Sequence, residues 1–213
     1  MNNEIRNKIF TLIMHIYDWR VVPGSRKDLT GNDIESLFTV LGKVEHPDMT
    51  LGEIGCGKGS SSAVLASYIK YLGGKLFACD IHEGVGTEVI YKKNMKRLEL
   101  DKYIDYKQIS SQEASKLFLD ETFDLIFIDA NHRYKDTKED INLWYPKVKK
   151  DGILCGHDCE IICSKDGSMN IKNLFNAGFI DIIGLHPGVI LAVSERFEKK
   201  AHIEGDRIWW IKK

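Results

Sequence analysis

The stretch MTLGEIGCGKGSSSAVLASYIKYLGG, residues 49–74, decides how the rest of the chain is read. Thr50 to Ile54 reads as a short strand; Gly55-Cys56-Gly57-Lys58-Gly59 breaks it with three glycines; Ser60 to Leu72 then has helical composition and ends at Gly73-Gly74. Strand, glycine turn and helix in that order form the first half of a βαβ unit, and paired glycines close a helix because they tolerate left-handed backbone.

Working outward, the unit repeats. Strands are expected at Lys75 to Cys79, Ile104 to Ile109, Phe123 to Ile128 and Gly152 to Gly156. Helices are expected at Thr87 to Leu98, from the Ser110/Glu113 capping box to Phe118, from Asp136 and Glu139 to Tyr145, and from Gly188 to Phe197. Ala201 to Ile211 reads as a hairpin around Gly205-Asp206. Strands that are nearly all apolar, alternating with helices, require a parallel sheet covered on both faces. The fold class is therefore α/β: a doubly wound, mostly parallel seven-stranded sheet with an antiparallel C-terminal hairpin. Ahead of it, Ile5, Ile9, Leu12, Ile13 and Ile16 share one helical face, and Ile34, Leu37, Phe38, Leu41 and Val44 share another after Asn32-Asp33. Residues 1–47, with the loop Val21 to Arg26, read as an N-terminal helical extension that covers the ligand site, and residues 48–213 as the main domain.

Thirty Lys+Arg balance thirty-one Asp+Glu among 213 residues, which argues against a general nucleic-acid coat. The longest uncharged run, Ile182 to Ser194, is 13 residues and contains Pro187, against the roughly 20 apolar residues that a membrane-spanning helix needs. An N-terminus mixing Glu4 with Arg6 and Lys8 does not read as a secretory signal, and five cysteines in mostly apolar settings suit reduced thiols in a cytoplasm. The partner expected is a small molecule, with no nucleic acid and no membrane. Trp209 and Trp210 point to opposite sheet faces, and one of them is a candidate contact in a homo-oligomer.

Open parallel sheets bind ligands at the carboxyl ends of their strands. Those ends carry Glu53 and Gly55, Asp80, Ser110-Ser111, Asp129, and His157-Asp158. The glycine turn is not a P-loop, because Gly59 stands where a magnesium-binding Ser or Thr belongs. Nor does it complete a dinucleotide fingerprint, since Ser60 replaces the third glycine. Glu53 would repel a pyrophosphate, yet would partner a ligand bearing an ammonium group, and Asp80, 21 residues after Gly59, lies where an acid meets ribose hydroxyls. An amino-acid-bearing nucleoside satisfies both.

On LGEIGCGKGSSS, FACD, DYKQISSQEA and the run FDLIFIDANHRY to WYPKVKKDGILCGHD, the chain resembles the class I S-adenosylmethionine-dependent methyltransferases. Within them it looks like the small-molecule O-methyltransferase branch that includes macrocin-type sugar enzymes. The resemblance covers Met49 to Asp158 and implies a Rossmann-like methyltransferase fold acting on a hydroxyl of a sugar or other polyhydroxylated metabolite. It implies that Glu53, Gly55 and Gly57 hold the methionine end of S-adenosylmethionine, Asp80 its ribose, and Ser111 and Gln112 its adenine, with helix capping the competing role for the last two. It implies a divalent cation, magnesium above all, on Asp129 and Asp158; the competing roles are loop capping and direct substrate contact. Relatives place an amide after the second carboxylate, whereas this chain has Cys159, so the third ligand is open. His132, three residues after Asp129, stands where relatives carry a base, with substrate orientation as its alternative role. His157 is read as a partner of Asp158 or a substrate contact; His15, His46, His82, His186 and His202 as ordinary packing or surface residues. Cys155, Cys159 and Cys163 admit a zinc site, with buried thiols as the simpler reading. Two rival functions stand beside the transferase: an NAD-dependent oxidoreductase, and a non-catalytic S-adenosylmethionine-binding protein.

Overall fold

The computed structural model describes residues 29–163, 168–176 and 184–213, together with isolated positions 4, 7, 8, 11 and 178. The apolar positions from Ile5 to Ile16 and the loop Val21 to Arg26 lie outside the described residues. In chain order the elements are α1 (Gly31–Leu41), β1 (Met49–Ile54), α2 (Ser60–Leu72), β2 (Gly74–Cys79), α3 (Thr87–Arg97), β3 (Ile104–Lys107), α4 (Ser111–Ser115), β4 (Phe123–Ile128), α5 (Tyr134–Trp144), β5 (Val148–Gly156), α6 (Ser168–Asn176), α7 (Pro187–Phe197), β6 (His202–Glu204) and β7 (Ile208–Lys212).

Among the described residues seven strands form one sheet in the order β3-β2-β1-β4-β5-β7-β6. The first five are parallel, and β7 runs antiparallel to both β5 and β6. The expected architecture is therefore the observed one. Strand order reverses between β1 and β4, so the ends of those two strands, with β5 beside them, open the crevice where such sheets bind ligands.

Each face of the sheet buries its own cluster. Helices α1, α2 and α3 cover Leu51, Leu76, Phe127 and Cys155 with Leu37, Leu41, Val64, Tyr68 and Met95. On the other face α5 and α7 cover Ile54, Phe77, Ile126 and Leu154 with Ile141, Trp144, Ile190 and Val193. The two tryptophans do face opposite ways. Trp209 is buried with the second cluster, whereas Trp210 packs on the first, stacked on His202 at 4.3 Å with Lys43 over its ring.

Boundaries differ from the sequence reading where hydrogen bonds overrule composition. β3 stops at Lys107 because β2, its partner among the described residues, ends at Cys79. α4 stops at Ser115 because the next two amides turn back to carbonyls three residues earlier, a tight final turn. α5 begins at Tyr134, not at Asp136: the Asn131 side chain accepts the Arg133 amide, and Thr137 N–H already bonds Arg133 O. β5 extends back to Val148, across a register shift that pairs Val148 with Phe123. α6 has no counterpart in the sequence reading.

Two glycines set the site's geometry. Gly55, at φ +85°, lets the turn after β1 cross the end of β4 so closely that a Cβ would lie 2.3 Å from Asp129 O. Gly188, in the first turn of α7, brings that helix against the backbone of His132, whose carbonyl would stand 2.2 Å from an added Cβ. Gly55→Ala is therefore expected to cost on the order of 1–3 kcal/mol in backbone strain alone, with the overlap adding to it. Urea unfolding measures this, and an unchanged midpoint would contradict the close approach.

Candidate active site

β1, β4 and β5 deliver their C-terminal residues to one cavity of about 300 Å³. Its lining includes Gly55, Gly57 and Lys58 from the glycine turn, Asp129 and His132 after β4, His157 and Asp158 after β5, His186 ahead of α7, and Arg207 from the hairpin. The turn expected to bind a cofactor and the residues expected to carry chemistry thus share one space. His186 and Arg207 join them across long chain separations, and no local pattern marks either.

Asp158 lies at the centre. Its backbone is left-handed, φ +59°, which an aspartate tolerates better than most residues and which bends the chain sharply away from β5. His132 Nε2 lies 2.9 Å from its Oδ2, while His157 Nδ1 at 3.2 Å, Arg207 Nη1 at 3.3 Å and His186 Nδ1 at 3.5 Å surround its Oδ1. Burial would raise the Asp158 pKa, but His132 and His157 hold it well below the usual carboxylate range. His157 is itself buried, and burial alone would depress it. Asp129, Asp158 and Asp33 outweigh that and push it up to about 12. Its Nδ1 lies 3.7 Å from Asp129 Oδ1 and its Nε2 3.4 Å from Asp33 Oδ2.

Asp33 is the residue that composition could not have assigned to a site. It caps α1 in a box with Thr30, and its carboxylate is 1% exposed. Arg207 donates to both oxygens, from Nε at 3.2 Å and Nη2 at 2.9 Å. Burial works against its ionisation, but His157, Arg207 and the Thr30 amide hold it charged, well below the usual range. One helix-capping carboxylate thereby locks α1, the hairpin and the end of β5 together.

The expected cofactor contacts are distributed unevenly. Gly55 and Gly57 line the cavity. Glu53 lies beneath the turn, wholly buried, and accepts hydroxyl hydrogen bonds from Ser61 at 2.5 Å and from Ser62. Burial pushes its carboxyl up to about 8, with the negative charges of Asp129 and Asp80 acting in the same direction. Asp80 accepts the Gly57 amide at 2.8 Å and the His82 amide at 2.6 Å, so it braces the turn. Ser111 donates to Asp140 and accepts from Trp144 Nε1, tying α4 to α5, and Gln112 is exposed on the first turn of α4. Ser110 and Glu113 form the expected capping box.

The metal-binding expectation can be tested against the donors present. Asp129, His157 and Asp158 bring ligand atoms within 4.8 Å of one another. Cys159 faces away: its Sγ donates to Ile161 O inside the second cluster. The third donor is therefore the imidazole of His157, with Asp33 behind its other nitrogen as the outer carboxylate that ligating histidines commonly have. Two carboxylates and one imidazole are a chemically reasonable set for a divalent ion. The three evenly spaced cysteines do not converge; Cys155 donates to Ile126 O inside the sheet, and all five cysteines are free thiols.

Residues 53–159 match a family model described as a methyltransferase domain. The fold is shared with an O-methyltransferase of Bacillus cereus solved in complex with SAH, at TM-score 0.60 and 13% identity over 100% of this chain and 92% of that one. It is shared also with a SAM-dependent O-methyltransferase of Thermotoga maritima, at TM-score 0.59 and 14% identity over 95% and 71% of the two chains. Identities this low establish the fold. An 85-residue stretch is 29% identical to the uncharacterized protein y4gI of Sinorhizobium fredii, covering 38% of this chain and 9% of that protein.

A carboxyl with a raised pKa keeps its proton in the folded chain above the pH at which the unfolded chain releases it. Between the ordinary glutamate value of 4.5 and about 8, Glu53 therefore makes stability fall as pH rises. Glu53→Gln is expected to remove a slope of up to about 1.4 kcal/mol per pH unit over that window. Parallel urea titrations of both proteins from pH 5 to 8 measure the difference, and parallel stability curves would show that Glu53 ionises normally.

Proposed function

The chain belongs to the methyltransferase-domain family, and on that premise we propose that it moves a methyl group from S-adenosylmethionine to a hydroxyl oxygen of a small molecule. The acceptor class favoured by the sequence resemblance is a sugar or other polyhydroxylated metabolite. The observation that carries the proposal is the single cavity in which Gly55 and Gly57 face Asp129, His132 and Asp158. A methyl donor seated on the turn would meet an acceptor hydroxyl beside a histidine–aspartate pair.

S-adenosylmethionine supplies a sulfonium-bound methyl: the C–S bond breaks as the C–O bond forms, and the sulfur keeps the electron pair and loses its charge. The protein's share is binding, alignment and removal of one proton. The uncapped N-terminus of α2, beginning at Gly59, and Lys58 put positive potential beside the turn, suited to the carboxylate of the cofactor's amino-acid end. Asp80, which already braces the turn, is placed to exchange one amide bond for ribose hydroxyls. Ser111 and Gln112 are assigned the adenine side by resemblance alone.

His132 is the proposed base. With its Nε2–H directed to Asp158, the lone pair sits on Nδ1, and the carboxylate stabilises the imidazolium formed when the acceptor hydroxyl gives up its proton. Asp129 orients the acceptor from the end of β4. A divalent cation, magnesium in this reading, would be held by Asp129, Asp158 and His157, and when bound would lower the pKa of the hydroxyl. Five free thiols suit a reducing compartment, and the cytoplasm is the proposed location.

S-adenosylmethionine at a hundred times its dissociation constant is expected to stabilise the fold by about 2.7 kcal/mol, read as a raised unfolding midpoint, while NAD leaves the midpoint unmoved. No response to millimolar S-adenosylmethionine would remove the proposal. His132→Ala should retain the midpoint shift and lower kcat by about 10²–10⁴-fold; turnover at the wild-type rate would exclude His132 as the base.

A further inference from the structure

A second donor set faces the same cavity. His132, Asp158 and His186 bring ligand atoms within 4.8 Å of one another, without Asp129 or His157. Zn²⁺ ligands bound at about 2.1 Å on the corners of a tetrahedron stand about 3.4 Å apart. His132 Nε2 and Asp158 Oδ2, 2.9 Å apart in a hydrogen bond, need to open by only about half an ångström to reach it. The two imidazoles cross edge to face, 4.7 Å between centroids and 76° between planes.

This meeting is built into the fold. His132 follows β4 and His186 precedes α7, 54 positions later. They come together because Gly188 allows the first turn of α7 to press on the His132 backbone. Glu160 accepts the His186 backbone amide at 3.1 Å and lies 2.6 Å from Nδ1, the nitrogen that also stands 3.5 Å from Asp158 Oδ1. His132, Asp158 and His186 all line the cavity, so a hydrated ion can reach them.

Two imidazoles with one carboxylate suit borderline transition ions, whereas magnesium prefers oxygen donors and retained water. We propose that His132, Asp158 and His186 form a site for a borderline transition ion such as Zn²⁺, sharing only Asp158 with the hard-ion set. An ion on His132 Nε2 uses the lone pair there and leaves the ring proton on Nδ1. That is the nitrogen the proposed base needs bare, so an ion in this site switches methyl transfer off. Ion binding stands independently of the proposed reaction; only this last consequence rests on it.

Co²⁺ titrated into the full-length protein without S-adenosylmethionine tests the site. The expected result is a visible ligand-field band that saturates at one ion per chain and is displaced by Zn²⁺. The band should survive Asp129→Asn and disappear in His186→Ala, whose fold is checked by circular dichroism and by the S-adenosylmethionine midpoint shift. The proposal is overturned by absence of the band, by its survival in His186→Ala, or by its loss in Asp129→Asn. A cobalt band without any midpoint shift from S-adenosylmethionine would remove the transferase reading and leave the ion site standing; the reverse pattern would remove the ion site alone.

Discussion

The Asp158 carboxylate is the interaction on which the rest of the crevice depends. It is buried, and His132 hydrogen-bonds it while His157 and Arg207 stand around its other oxygen. Taking the Arg207 guanidinium or the His157 imidazolium away strands the carboxylate's charge in a low-dielectric setting, a loss typically of about 3–5 kcal/mol. The same carboxylate therefore constrains three separate parts of the chain: the loop after β4, the end of β5 and the hairpin.

Behind it, the Asp33–Arg207 pair explains why the N-terminal helix belongs to the site and is more than a decoration of the sheet. α1 contributes Ile34, Leu37 and Leu41 to the same cluster as α2, and it hydrogen-bonds the hairpin turn through Asn32 and Asp206. A carboxylate whose usual task at this position is to cap its own helix is borrowed by the guanidinium and by His157. Local helix formation and the electrostatics of the crevice are thus coupled through one side chain.

Much of this was legible along the chain. β4 is six buried residues followed by Asp129, α4 begins behind its Ser110/Glu113 capping box, and α2 spans Ser60 to Leu72 as read. The site was legible where strand ends carry polar groups: Gly55, Gly57, Asp129, His132 and Asp158 do share one cavity. Glu53 was legible as a residue of importance but not in its state. The sequence marks it as a partner for a cationic ligand, whereas Ser61 and Ser62, in the first turn of α2, hydrogen-bond it and it is wholly buried. His186, grouped with ordinary histidines by its isolation in sequence, proved to stand against His132 and Asp158.

What the sequence by itself determined is the alternation of strand and helix, the parallel sheet with its closing hairpin, and the edge of that sheet where chemistry belongs. These follow from periodicity, from glycine at turns and from the polarity of strand ends, all of them properties of neighbouring residues. Only the tertiary structure decided that Asp33, Glu160, His186 and Arg207 join the crevice, that Cys159 turns away from it, and that Glu53 is sealed beneath the turn. Those outcomes depend on charges and close approaches between segments far apart in the chain, and such contacts leave no mark on local spacing.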